Sequence, residues 1–160
     1  MKFQEMTKKN FLTQKDFFTI TLKSTPKDKI DWKPDSNSMS AKEMVEHLAG
    51  ANHYFASMIT GQAPPAPPEE PPQLSFDQAV KFFEESCDMM AKTIASVPDD
   101  KLTDPRETPF GHTINVRFAM TIPGSHLAYH WGQLSALQKQ YGDMDDHFLD
   151  KSFQMGSHYK

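Results

Sequence analysis

The sequence predicts an all-α protein, a bundle of four helices. Four segments of the 160-residue chain repeat apolar residues at intervals of three and four, which is the spacing of one helix face. No stretch alternates apolar and polar residues over the length of a strand, and no internal repeat is visible. Because a single domain usually has about 100–200 residues, we expect residues 1–160 to form one domain.

The sequence predicts where the first two helices begin and end. The first is predicted from Phe3 to Leu22, before Pro26. The second is predicted to begin at Ser40-Ala41-Lys42-Glu43, a capping box in which Ser40 and Glu43 each satisfy a free backbone N–H, and to end near Gly61. Its expected inward face includes one histidine among apolar residues: Met44, His47, Leu48, Ala51, Tyr54, Phe55 and Met58.

A proline-rich connection follows over residues 62–74. Six of the twelve prolines lie between Pro64 and Pro72, so this segment is predicted to be extended and stiff. At about 3.1 Å per residue, residues 62–73 span roughly 37 Å, close to the roughly 33 Å height of a 22-residue helix. It is therefore long enough to cross the bundle and leave the second and third helices parallel. A binding motif for a proline-recognising domain is the alternative interpretation.

The third helix is predicted to begin at a second capping box, Ser75-Phe76-Asp77-Gln78, and to end at Pro98. Cys87 lies on its apolar face and is therefore predicted to be a buried core thiol. As the only cysteine, it also excludes an intramolecular disulfide and a cysteine-rich zinc site. The apolar face consists of Val80, Phe83, Cys87, Met90, Ile94 and Val97.

After another connection at residues 101–112, a fourth helical face runs from Val116 to Tyr141, and Gly142 stops it. Pro123 either kinks this helix or occupies its first turn behind Thr121, and the pattern fits both. Residues 143–160 form a polar C-terminal tail, predicted to be a partly ordered cap with Phe148 and Phe153 as its strong apolar anchors.

Charge and hydropathy exclude two classes of partner. The net charge is −4, and only two of the 17 basic residues are arginines, which argues against binding to nucleic-acid phosphates. No run approaches the roughly 20 apolar residues of a membrane-spanning helix, and the first residues lack the apolar core of a secretory signal. We therefore expect a cytoplasmic protein that acts on a small molecule, with neither nucleic acid nor membrane as partner.

Three histidines are predicted to form a metal site. His126 and His130 are four residues apart, so their rings project from the same helix face. His47, on the inward face of the second helix, completes a set of three on facing helices. Three neutral ligands leave at least one coordination position open, as in catalytic sites, and imidazole suits zinc, nickel or another late divalent metal. The alternative is that each histidine is a core residue hydrogen-bonded to a neighbour.

Two further residues are candidates for the surroundings of this site. Gln133, three residues after His130, is predicted either to orient a ligand or bind substrate, or to pack as a helix amide. His112, after Phe110-Gly111, is a candidate pocket residue. The remaining histidines are predicted to lie on the surface or in loops: His53, His147 and His158.

Three segments together resemble the DinB/YfiT-like superfamily. They are Trp32-Lys33-Pro34 with the following Ser38-Met39-Ser40-Ala41-Lys42-Glu43-Met44-Val45-Glu46-His47-Leu48, then Thr108-Pro109-Phe110-Gly111, and then His126-Leu127-Ala128-Tyr129-His130-Trp131-Gly132-Gln133-Leu134. The resemblance covers nearly the whole chain. It implies a four-helix bundle with an up-down-down-up course, often dimeric, and a divalent metal on His47, His126 and His130.

The resemblance also implies a range of activities. Characterised relatives include thiol S-transferases that use bacillithiol, mycothiol or glutathione, a mycothiol-dependent isomerase, and metal-dependent hydrolases. Relatives commonly carry arginine at position 131 and histidine at position 129, where this chain has Trp131 and Tyr129. Without that arginine, a carboxylate-bearing thiol cosubstrate is less favoured.

The predicted function is a metal-dependent thiol S-transferase or hydrolase whose nucleophile is a metal-bound water or a thiolate. With Cys87 in the core, a reactive thiol would arrive as a low-molecular-weight cosubstrate. The alternative is a non-catalytic, metal-binding stress-response bundle in which the ion only braces two helices.

Overall fold

The computed structural model describes residues 1–64, 66, 73–147 and 158, and it confirms the helical bundle. A short two-stranded hairpin and a four-residue helix precede the last long helix. In chain order, the elements are α1 (Phe3–Lys23), α2 (Ala41–Thr60), α3 (Phe76–Ser96), β1 (Pro105–Glu107), β2 (Thr113–Asn115), α4 (Val116–Ala119) and α5 (Ile122–Gln140).

Contacts of α1 fix the directions of two other helices. Nε2 of Gln4 donates to the backbone oxygen of Val97 at 2.9 Å, so the start of α1 lies at the end of α3. The ring of Phe18, late in α1, lies 5.4 Å from that of Phe83, early in α3, so the two helices are antiparallel. Nε1 of Trp131 donates to Oγ1 of Thr21 at 2.9 Å, late in α1, whereas Gly124 lies against the middle of that helix. Helices α1 and α5 are therefore parallel.

The direction of α2 follows from its contacts with α5. The ring of His47 lies 4.8 Å from that of His130, and the ring of Phe55 lies 5.4 Å from that of His126. Later residues of α2 thus meet earlier residues of α5, and the two helices are antiparallel. Since α3 is also antiparallel to the α1–α5 pair, α2 and α3 are parallel, which confirms the up-down-down-up course.

Both predicted capping boxes are present. The backbone N–H of Glu43 donates to Oγ of Ser40 at 3.2 Å, and Oε2 of Glu43 accepts from the backbone N–H of Ser40 at 2.8 Å. Ser75 and Gln78 repeat the arrangement at the start of α3. Such a cap contributes about 1 kcal/mol, so each box fixes where its helix begins. Gly61 ends α2 with φ 75°, a left-handed conformation that glycine adopts without strain.

The buried face of α2 differs from the predicted one. Met44 and Leu48 are buried as expected, but His47 is exposed, and Ala51, Tyr54, Phe55 and Met58 are only half-buried. The reason is that α2 packs mainly on α3 and less on α5, so its core face turns toward α3 and His47 lies at the edge facing α5. The residues of α2 that are buried are Ala41, Met44, Val45, Leu48, Ala49, Asn52, Ala56 and Ile59.

Pro123 lies in the first turn of a helix and does not kink one, which decides between the two predicted positions. Helix α4 ends at Ala119, and α5 starts afresh at Ile122 with Pro123 in its first turn, where proline removes no intrahelical hydrogen bond. The predicted continuous face from Val116 to Tyr141 is thus divided between two helices. Both histidines of this region, His126 and His130, lie on α5.

The connection before α4 contains a hairpin that the sequence did not predict. Strands β1 and β2 pair antiparallel over three residues each, too short for a period-two pattern to show. Arg106 ties this hairpin to the bundle, because its Nε donates to the backbone oxygen of Met58 at 2.8 Å and its Nη2 to that of Ile59 at 3.2 Å. These are carbonyls of the last turn of α2, which lack intrahelical partners.

Two predicted segments lie largely outside the described residues. One is the centre of the proline-rich crossover, and the other is most of the C-terminal tail, including Phe148 and Phe153. Within the described tail residues, Nε2 of His158 lies 2.6 Å from Oδ2 of Asp16, and Nε2 of His147 lies 2.7 Å from Oδ2 of Asp143. None of the helices in the described part of the chain is both long and apolar enough to span a bilayer.

Candidate metal centre

The three predicted histidines meet through the same ring atom. Nε2 of His126 lies 3.1 Å from Nε2 of His47 and 3.1 Å from Nε2 of His130. All three ligand atoms lie within 4.8 Å of one another, and no carboxylate or thiol among the described residues joins the cluster. The structure therefore brings together three imidazole nitrogens from two helices.

Local structure accounts for the positions of these rings. His126 and His130 are one turn apart on α5, on a face that also buries Leu127 and Leu134. His47 reaches them from the edge of α2 that faces α5. Burial increases across the set, from exposed His47 through half-buried His126 to His130, which is 3% exposed. One side of the cluster is open to solvent, and the other is sealed by the core.

Hydrogen bonding alone does not satisfy this arrangement. An Nε2 atom carries either one lone pair or one proton, so Nε2 of His126 can make a good hydrogen bond with only one of its two neighbours. A cation at the meeting point of the three lone pairs satisfies all of them. In a tetrahedral zinc site with Zn–N bonds of about 2.0–2.1 Å, two nitrogens lie about 3.3 Å apart, close to the 3.1 Å of the two pairs that involve His126. The donor set therefore fits a divalent ion.

The electrostatic environment keeps the rings neutral. Burial, followed by the neighbouring His130 and His47, lowers the pKa of His126 from 6.5 to about 4. Burial and the neighbouring His47 lower the pKa of His130 to about 4, although Gln133 partly opposes this shift. Burial also lowers the pKa of His47. Metals bind to the neutral form of imidazole, so the three histidines are in their metal-binding form at neutral pH.

An open cavity of about 440 Å³ adjoins the cluster. Its wall is largely aromatic and aliphatic on the α2 side, where Gly50 and Ala51 leave room in front of His47. Glu46 is the only acidic residue of the lining, and its Oε1 lies 3.8 Å from Nζ of Lys42. The lining residues are Glu46, His47, Gly50, Ala51, Tyr54, Phe55 and His126. A small molecule in this cavity would contact two of the three ligands.

The two lesser candidates lie in different places. Gln133 is half-buried next to His130, and its Nε2 donates to Oη of Tyr129 at 2.9 Å. His112 is exposed in the turn of the hairpin, and it is not among the residues that line the cavity. The other histidines are outside the cluster; among them, His53 stacks on Phe82 at 5.4 Å.

The family resemblance linked position 131 to a carboxylate-bearing cosubstrate, whereas no role was predicted for Tyr129. Tyr129 lies four residues before Gln133, and this i, i+4 spacing was the available signal for their hydrogen bond. Trp131 stacks on Phe17 with ring centres 4.9 Å apart and donates to Thr21. Position 131 therefore faces α1 rather than the histidine cluster.

Glu43 lies on the same helix as His47, but its carboxylate has a structural role. Besides capping α2, its Oε1 accepts from Nζ of Lys33 at 2.7 Å, and this contact lowers the pKa of its carboxyl group. Cys87 is fully buried in α3, and burial raises the pKa of its thiol to about 12. The prediction of a core thiol is confirmed.

Comparisons with known proteins agree with this architecture. An uncharacterized protein of Bacillus subtilis (strain 168), YjoA, is 24% identical over 135 residues, which cover 83% of this chain and 87% of YjoA. The crystal structure of YjoA, described as a DinB-like protein and determined at 2.30 Å resolution, superimposes with a TM-score of 0.70 at 18% identity, covering 88% of this chain and 94% of that one. The DinB superfamily model matches residues 12–134. The chain belongs to the DinB superfamily.

Proposed function

We propose that this protein is a divalent-metal-dependent enzyme that acts on a small molecule. One observation carries the proposal: three Nε2 atoms converge beside an open cavity, and no fourth ligand from the described residues joins them. A purely structural ion is usually enclosed by four protein ligands, whereas a catalytic ion keeps a position for water or substrate. Zinc and nickel are the proposed ions, because both suit imidazole ligands.

In this proposal, different residues bind the ion and line the cavity. His47, His126 and His130 hold the ion. When bound, a divalent ion supplies Lewis acidity and lowers the pKa of the nucleophile that it holds. Tyr54 and Phe55 offer aromatic surface to the apolar part of a substrate, since both line the cavity.

The nucleophile comes from outside the protein. Cys87 is the only cysteine, and it is fully buried with a thiol pKa of about 12, so it is neither accessible nor ionised at neutral pH. With a protein thiol excluded, the proposed nucleophile is a low-molecular-weight thiol or water held by the ion. The first makes the protein a thiol S-transferase, and the second makes it a hydrolase.

The first test is metal content. Protein purified without a histidine tag is expected to bind one zinc or nickel ion per chain, measured by elemental analysis. His47→Ala, His126→Ala and His130→Ala are each expected to lose the ion. His53→Ala, on α2 but outside the cluster, is the matched control and is expected to keep it. Retention of stoichiometric metal in all three cluster variants would refute the proposal.

The second test separates the activities. The metal-loaded protein is incubated with small electrophiles plus a thiol panel (bacillithiol, mycothiol and glutathione), and in parallel with an ester panel without thiol. Thiol-dependent product formation supports transfer, and product formation without thiol supports hydrolysis. No turnover in either panel would favour the non-catalytic bundle. The elution volume of the same preparation tests the homodimer that the family resemblance implies.

A further inference from the structure

The most buried ligand, His130, has an atom without a hydrogen bond. Its Nδ1 is buried and makes no hydrogen bond of ordinary geometry with the described residues, although the side chain of Gln133 lies close enough to act on the ring. Oε1 of Gln133 is also buried and also makes no such hydrogen bond with the described residues. The two residues are three apart on α5, so their side chains share a face. A donor and an acceptor that both need a partner are thus neighbours.

Metal binding fixes which atom of His130 must donate. A neutral imidazole carries one proton, and an Nε2 that binds an ion cannot carry it. Nε2 of His130 points into the cluster, 3.1 Å from Nε2 of His126, so Nδ1 becomes the N–H donor. A buried N–H left without an acceptor costs about 1–3 kcal/mol. The loaded site therefore requires an acceptor near Nδ1.

The amide of Gln133 is already oriented to supply this acceptor. Its Nε2 donates to Oη of Tyr129 at 2.9 Å, which leaves Oε1 as the free end. The flipped amide would place an N–H against Nδ1 of His130, and that contact is compatible only with the tautomer whose Nε2 is protonated. Because the Tyr129 hydroxyl can either accept from the amide or donate to it, the Nδ1–H of a metal-bound His130 selects the orientation in which Oε1 faces the ring.

We propose that Gln133, held by Tyr129, is a positioning residue that accepts the Nδ1–H of His130 and so fixes this ligand for the metal. The inference rests on the proposed function, because it requires an ion at the three Nε2 atoms. Hydrogen-bond acceptors behind ligating histidines typically contribute 10–100-fold to metal affinity. Tyr129 is exposed, so its contribution is expected to be the smaller one.

The test measures Zn²⁺ affinity by competition with a chromophoric chelator. Gln133→Met, similar in size but without the amide, is expected to bind Zn²⁺ about 10–100-fold more weakly. Gln133→Glu retains an acceptor and is expected to stay within about threefold of the wild type, or to bind more tightly, since the charged acceptor bonds more strongly. Tyr129→Phe is expected to lose only a few-fold in affinity. Gln140→Met, at an exposed position of the same helix, is the control.

A second readout separates positioning from general packing. In the ¹⁵N NMR spectrum of the Zn²⁺-loaded protein, Nδ1 of His130 is expected to carry a slowly exchanging proton, and its signal is expected to shift in Gln133→Met. The inference is overturned if Gln133→Met binds as tightly as the wild type, if Gln133→Glu binds as weakly as Gln133→Met, or if Nδ1 carries no proton. A wild type that binds no ion overturns the proposed function as well, whereas the other outcomes leave it intact.

Discussion

Two groups of polar side chains lie on opposite edges of α2, and they differ in whether the protein satisfies their hydrogen bonds. Toward α3, Nδ2 of Asn52 donates to Oγ of Ser86 at 3.0 Å, and that hydroxyl donates to the backbone oxygen of Phe83 at 2.7 Å. Neither Asn52 nor Ser86 has a buried side-chain atom without a partner. Toward α5, the three histidines crowd their Nε2 atoms together, and Nδ1 of His130 makes no hydrogen bond of ordinary geometry with the described residues.

The difference separates a structural polar group from a binding site. A buried polar cluster that is complete within the protein stabilises and specifies the packing of its helices. A cluster with unsatisfied buried atoms calls for an explanation such as a bound ion. The Asn52 group therefore belongs to the fold, whereas the histidine group fits the proposed metal site. Variants on the two edges should have opposite effects.

The largest expected effect is on the histidine edge. His126→Ala removes the ligand whose Nε2 contacts both others, and Zn²⁺ affinity is expected to fall by at least about 100-fold, beyond the usual effect of losing an outer partner. In the metal-free protein the free energy of unfolding is expected to fall by only about 1 kcal/mol, because only the one hydrogen bond that His126 makes with a neighbouring ring is lost. Chelator competition and urea unfolding measure the two quantities. A large loss of metal-free stability would contradict the comparison.

At Asn52 we expect the opposite result, a loss of stability without a loss of Zn²⁺ affinity. Asn52→Ala leaves Ser86 without its donor and opens a gap between α2 and α3, so the free energy of unfolding is expected to fall by about 1–3 kcal/mol. Zn²⁺ affinity is expected to remain within about threefold of the wild type, because the histidine edge is untouched. Lys92→Ala, at an exposed position of α3, is the control for urea unfolding. Equal loss of metal affinity in Asn52→Ala would show that the two edges are coupled.

The stability of the metal-free protein is expected to depend on pH through the histidine edge. The pKa values of His126 and His130 are about 4 in the folded protein and near 6.5 when unperturbed. Between these values the unfolded chain binds protons that the folded protein does not, so stability falls as the pH is lowered from about 6.5 toward 4. Urea unfolding across this range tests the sign. In a His126→Ala/His130→Ala double variant, the number of protons taken up on unfolding should fall by up to two, so the free energy of unfolding should depend less steeply on pH. An unchanged slope would refute the assignment of this pH dependence to the two histidines.

The smallest effect is expected at Cys87. Its Sγ lies 3.5 Å from Nδ2 of Asn52, a weak contact beside the stronger one to Ser86. Cys87→Ala is therefore expected to lower the free energy of unfolding by about 1 kcal/mol and to leave Zn²⁺ affinity and any thiol-dependent turnover unchanged. Loss of turnover in this variant, with the metal retained, would mean that the protein supplies its own thiol.

Local signals in the sequence predicted most of the fold. The capping boxes at Ser40 and Ser75 gave the starts of α2 and α3 to the residue, because each depends only on atoms within one turn. The hairpin at residues 105–115 was missed because its three-residue strands are held by pairing and by Arg106, which leave no periodic trace. The position of Pro123 was ambiguous because proline is compatible with both a kink and a first turn.

For the candidate site, the sequence by itself determined which residue types are available and that His126 and His130 share a face, since helical spacing is a property of the chain alone. Only the tertiary structure decided that His47 joins them. That outcome depends on the rotation of α2 about its axis, and packing against α3 sets this rotation, so that His47 lies at the α5 edge rather than on the core face. The tertiary structure also buries Nδ1 of His130 beside Gln133, and the need of that atom for a partner is visible only when all its neighbours are in place.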